Sequence, residues 1–169
     1  SLGGIMKRNL YGVAEASDWI GRQSTDECLV LKNLQDTFLL GQALIETIPQ
    51  LKLLLIKGPL GAGKTTLVKG IATSLGINEP ITSPTFALAQ HYPKGNPPLI
   101  HLDLYRLENR QAADELFLQE EEEANMLGAL MVIEWPERLN ISLPDAWLLR
   151  FEHAPNDERF VQLHPPSFA

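Results

Sequence analysis

The sequence predicts an α/β fold: three layers, with a mostly parallel central sheet and antiparallel edge strands. Three observations lead there. Apolar runs of strand length alternate with segments of helical period. A glycine-rich loop joins one such strand to one such helix. The last two apolar runs flank a polar turn, as in an antiparallel hairpin. With 169 residues, 44% of them hydrophobic, the chain suits one domain, placed at residues 29–169 behind an arm of residues 1–28.

The arm shows no sustained period and is expected to be loosely ordered, with one helical turn. Its start, Ser1-Leu2-Gly3-Gly4-Ile5 before Met6, reads as an expression scar. Leu29-Val30-Leu31 predicts a short strand. Asn33 suits the N-cap of a helix carrying Leu34, Phe38, Leu44, Ile45 and Ile48 on one side and ending at Pro49. Leu51 to Lys57 is an apolar run bounded by Pro49 and Gly58 and predicts a buried strand. Gly63 to Leu75 predicts a helix with Leu67, Val68, Ile71, Ala72 and Leu75 inward and Gly76 as its stop. Residues 78–84 hold Pro80 and Pro84 and predict a loop. Leu99 to Asp103 predicts a second buried strand. Residues 108–125 are charged and helix-favouring, with Leu116 and Phe117 as apolar contacts. Ala129 to Glu134 predicts a third buried strand. Ala146 to Phe151 and Phe160 to Leu163, around Pro155-Asn156-Asp157, predict the closing hairpin.

Gly58-Pro59-Leu60-Gly61-Ala62-Gly63-Lys64-Thr65 satisfies the phosphate-loop pattern of P-loop NTPases. Glycines let backbone N–H groups turn inward around a phosphate. Lys64 reaches the outer phosphates, and the Thr65 hydroxyl opens the next helix, where Mg²⁺ and anions are favoured. Such a site needs an acid at a neighbouring strand end. Two candidates are present, Asp103 and Glu134, and together they can divide metal positioning and water activation. The loop Thr82-Ser83-Pro84-Thr85-Phe86 holds the position of a γ-phosphate sensor in P-loop switches. His101 alternates with Asp103 and so can share its face, although a core role is the commoner one for such a histidine. Arg106, Arg138 and Arg159 are the basic candidates. With no Asn-Lys-x-Asp guanine signature, adenine is the favoured base.

Four ordered segments carry a family resemblance: Gly-Pro-Leu-Gly-Ala-Gly-Lys-Thr-Thr (58–66), Ser-Pro-Thr-Phe (83–86), His-Leu-Asp-Leu-Tyr-Arg-Leu (101–107) and Ile-Glu-Trp-Pro-Glu (133–137). Over residues 29–165 the chain resembles the bacterial TsaE (YjeE) ATPases. That resemblance implies a P-loop ATPase required for the threonylcarbamoyl modification of adenosine in tRNA. It implies ATP and Mg²⁺ as cofactors and the TsaD–TsaB transferase pair as partners, with tRNA reached only indirectly. By position, Gly58, Gly61, Ala62, Gly63, Lys64, Thr65 and Thr66 resemble the phosphate cradle. Thr65, Asp103 and Glu134 resemble the metal site, and Lys64, Asp103 and Glu134 the hydrolytic set. Thr85 falls in the switch-like loop, Trp135 follows Glu134, Arg159 aligns with a late basic residue near the nucleotide, and Thr37 lies near the base. One departure is Pro59, where the family often has an acid. A small-molecule kinase is the alternative reading.

Charge bounds the partners. The net charge is −7, and Asp103 to Glu137 holds ten acids and two bases, a local −8. Twelve bases against eleven acids elsewhere leave +1. This balance argues against unaided binding to nucleic acid or an anionic membrane. The longest apolar runs are strand-length, too short for a membrane span, and no signal-peptide pattern opens the chain. A single cysteine, Cys28, has no internal disulfide partner, so a cytoplasmic setting is expected.

Overall fold

The structure, a computed structural model, describes residues 5–83 and 88–167. In chain order the elements are β1 (Met6–Asn9), α1 (Val13–Arg22), β2 (Glu27–Leu31), α2 (Leu34–Thr47), β3 (Leu53–Lys57), α3 (Lys64–Ser74), β4 (Ala89–Tyr92), β5 (Leu99–Asp103), α4 (Arg110–Leu127), β6 (Leu130–Glu134), β7 (Trp147–His153) and β8 (Arg159–His164). One sheet contains all eight strands in the order β1-β2-β8-β7-β3-β6-β5-β4. Six run parallel, whereas β4 and β8 run against their neighbours.

Helices cover both faces, which gives the three layers. Against one face pack α1, α2 and α3, with Leu40, Leu44, Leu67 and Ile71 meeting Leu54, Ile56, Leu99 and Val132. Against the other packs α4, with Ala113, Phe117 and Ala124 on Ile100, Leu102, Met131 and Ile133. Asn33 caps α2 by accepting from the Asp36 N–H, and Asn109 caps α4 by accepting from Ala112, as their side chains predispose them to do. Among the described residues, no helix is long and apolar enough to cross a membrane.

Three expectations are corrected. The arm is part of the fold: β1 pairs with β2, and α1 buries Ala16, Trp19 and Ile20. This helix is short, its apolar stripe is only three residues wide, and Gly12 offers it no side-chain cap. The closing hairpin does not lie at an edge, because β8 inserts between β2 and β7. Only β4, whose Ala-Gln-His-Tyr carries little apolar signal, is an antiparallel edge strand. The inward stripe of α2 is Thr37, Leu40, Gly41, Leu44 and then Ile48, while Leu34 is exposed.

That stripe lets α2 approach α3 closely. A Cβ added at Gly41 would meet the Leu67 carbonyl oxygen at 2.3 Å, and one at Gly70 would meet that of Phe38 at 2.1 Å. Backbones this close exclude any side chain. The contact fixes α3, and with it the N-terminal residues Lys64 and Thr65, against the body of the protein.

Candidate functional site

The loop from β3 to α3 forms the floor of a cleft of about 320 Å³. Leu60, Gly61, Gly63, Lys64, Thr65, Thr66, Ser83, Asp103, Tyr105, Glu134 and Trp135 line it. A larger cavity of about 570 Å³ lies at the opposite sheet end, around Lys52, Leu53 and Trp147. It has no phosphate-binding element, so the chemistry argues for the smaller cleft. Gly63 sits at the N-cap of α3 with φ 97°, a left-handed conformation that side chains disfavour. Thr37 is buried behind it and its hydroxyl donates to the Asn33 carbonyl. Thr37 and Leu34 both pack beside Gly63, the first buried and the second exposed.

Lys64 is only 5% exposed. Its Nζ donates to the Gly58 carbonyl at 2.6 Å and lies 4.3 Å from the centre of the Trp135 ring. Burial pushes its pKa below the ordinary lysine value, against the pull of Glu134, Asp103 and Glu137. A phosphate entering the cleft would supply the lysine with a full counter-charge. Trp135 occupies left-handed backbone (φ 60°, ψ 50°), an uncommon conformation for a bulky residue. Its ring lies 4.9 Å from that of Tyr105.

Asp103 and Glu134 are register partners at the C-terminal ends of β5 and β6. Burial and the nearby Glu134 raise the Asp103 pKa above its ordinary value, and Asp103 accepts from the Tyr105 N–H at 3.1 Å. Across the cleft the Thr65 and Ser83 hydroxyls lie 2.7 Å apart. These are hard oxygen donors, the set that suits a divalent cation such as Mg²⁺. No group of three or more His, Cys, Asp or Glu among the described residues could hold a metal by itself, so phosphate and water would complete the shell.

The remaining candidates are distributed as follows. Gly58 and Ala62 lie in the loop, and Thr66, in the first turn of α3, lines the cleft. Arg159 donates to the Gly61 carbonyl at 3.0 Å, which brings β8 to the phosphate cradle. Arg138 donates to the Tyr105 carbonyl at 2.9 Å, with its guanidinium near the Tyr105 and Trp135 rings. Arg106 is exposed. Thr85 lies outside the described residues, as does Phe86. The sequence points to the loop of Ser83 but singles out Thr85 within it, whereas the hydroxyl that meets Thr65 is that of Ser83. His101 is fully buried, as the core reading expects, and is bonded to Glu134 of the cleft.

The chain is similar to several known proteins. The family model described as "Threonylcarbamoyl adenosine biosynthesis protein TsaE" matches residues 31–161. A protein of Nostoc sp. called tRNA threonylcarbamoyladenosine biosynthesis protein TsaE is 42% identical over 111 residues, covering 66% of this chain and 68% of that protein. One of the same name from Mycobacterium tuberculosis is 39% identical over 133 residues, covering 73% and 79%. The crystal structure of Bacillus subtilis YdiB superposes with a TM-score of 0.63 at 24% identity, over 82% of this chain and 84% of that one. At that identity the likeness supports the fold alone.

Proposed function

The chain belongs to the TsaE family, and from that premise we propose that it is a Mg²⁺-dependent ATPase serving tRNA threonylcarbamoyladenosine biosynthesis. In this reading it acts in the cytoplasm on the TsaD–TsaB transferase pair and does not transfer the group itself. The observation that carries the proposal is the convergence of Lys64, Thr65, Ser83, Asp103 and Glu134 on one cleft above a glycine-rich loop.

On ATP binding, the loop N–H groups and the N-terminus of α3 receive the phosphates. Lys64 exchanges the Gly58 carbonyl for a phosphate oxygen. Arg159 holds the loop from the far side through Gly61. Thr65, Asp103 and Glu134 would hold Mg²⁺, which when bound neutralises charge on the phosphates. Glu134 then orients the attacking water and accepts its proton. Turnover by the isolated protein is slow in this reading, because Arg138 is engaged with the Tyr105 carbonyl and, among the described residues, Lys64 is the only cation lining the cleft. The transferase pair would complete the site.

The test is ATP hydrolysis and nucleotide affinity measured with and without TsaD–TsaB. Partner-stimulated turnover is expected, and Lys64→Ala should weaken ATP binding at least about 10–100-fold, the worth of a charge-assisted contact. A protein that neither binds the pair nor changes its turnover in their presence would refute the reading. Glu134→Ala separates a hydrolytic cycle from simple nucleotide-dependent docking: it should bind ATP yet fail to sustain tRNA modification.

A further inference from the structure

We infer that His101 is a positioning residue for Glu134, holding one carboxylate oxygen so that the other faces the cleft. His101 pairs in register with Val132, two residues before Glu134 on the adjacent parallel strand. Its side chain therefore reaches diagonally across the β5–β6 ladder. His101 Nε2 lies 2.7 Å from Glu134 Oε2, with the two side chains 0% and 4% exposed. Among the described residues, the buried His101 Nδ1 has no hydrogen-bond partner.

The bond joins two buried side chains, and leaving the buried Glu134 oxygen without a partner would cost about 1–3 kcal/mol. It therefore fixes the Glu134 rotamer.

The inference rests on the ATPase reading above, and it is tested by comparing two neutral amides at one position in the full chain with the TsaD–TsaB pair. Gln can place an N–H near where Nε2 lies, whereas Asn stops near Nδ1. His101→Gln should keep kcat within about threefold of wild type. His101→Asn should lower kcat about 10–100-fold, the usual cost of losing an outer-shell partner, with KM for ATP and thermal stability close to those of His101→Gln. Equal kcat for the two variants, whether high or low, overturns the inference, as does a loss that appears only in KM. If the wild-type protein itself shows no ATP turnover, it is the ATPase reading that fails. His101→Leu, even if it fails to fold, does not alter the Gln-against-Asn comparison.

Discussion

Asp103 shows how function at a single residue opposes stability. Burial and the neighbouring Glu134 hold its carboxyl above the ordinary carboxylate value. The folded chain thus keeps a proton at a pH where the unfolded chain has lost it. Stability falls as pH rises from the unfolded pKa through the raised folded one, and the cost is fully present above both. Asp103→Asn removes that cost without changing shape. In the absence of Mg²⁺ the variant should melt at a higher temperature than wild type near pH 7.5 and match it near pH 3, where both forms are neutral. A variant no more stable than wild type at the higher pH would contradict this account. Turnover with Mg²⁺-ATP should drop sharply at the same time. What sequence reveals at this scale depends on where the cause lies. The P-loop was legible because its glycines answer local backbone demands, whereas the His101–Glu134 bond depends on strand register and so needed the fold.

Between elements, the tightest joint is that of α2 with α3, and it positions the site from behind. Gly70→Ala would drive a methyl group to within 2.1 Å of the Phe38 carbonyl oxygen, forcing the helices apart. The expected cost is about 1–3 kcal/mol, read by urea denaturation, together with weaker ATP binding as Lys64 and Thr65 shift with α3. Unchanged stability and affinity would mean that the joint yields at no cost. The same helices show why element assignments partly failed. Asn33, Gly76 and the apolar period of α3 are local signals and placed their helices well. The inward face of α2 was misjudged because Thr37 and Gly41, small or polar in sequence, serve as packing residues where backbones nearly touch. For α1 and β1 the stabilising partners lie elsewhere: Trp19 donates to the Glu27 carbonyl at 3.3 Å, and Arg8 and Arg22 both bond Glu27. No window of local sequence contains that cluster.

Across the whole molecule, the charge asymmetry acquires a geometry. Asp103 and Glu134 close the strands that line the cleft, whereas the acids of α4 stand on the other face of the sheet. Among them Glu120 bonds His91 at 2.6 Å, while Glu122 and Glu123 are exposed. An exposed acidic helix repels a phosphate backbone out to about a Debye length, roughly 8 Å at physiological salt. Binding to tRNA without partners should therefore be weaker than about 10⁻⁴ M near 0.15 M salt, the low end of non-specific affinities. Fluorescence anisotropy with labelled tRNA checks this, and micromolar binding by the isolated protein would sink the view that tRNA is reached only through the transferase pair. A paired charge reversal, Glu122→Lys with Glu123→Lys, provides the complementary measurement. It should raise tRNA affinity with a steeper salt dependence and leave intrinsic ATP turnover unchanged, because neither side chain borders the cleft. If the reversal instead abolishes partner-stimulated turnover while intrinsic turnover survives, the exposed face of α4 is where the transferase pair docks, and its acidity serves partner choice as well as tRNA exclusion.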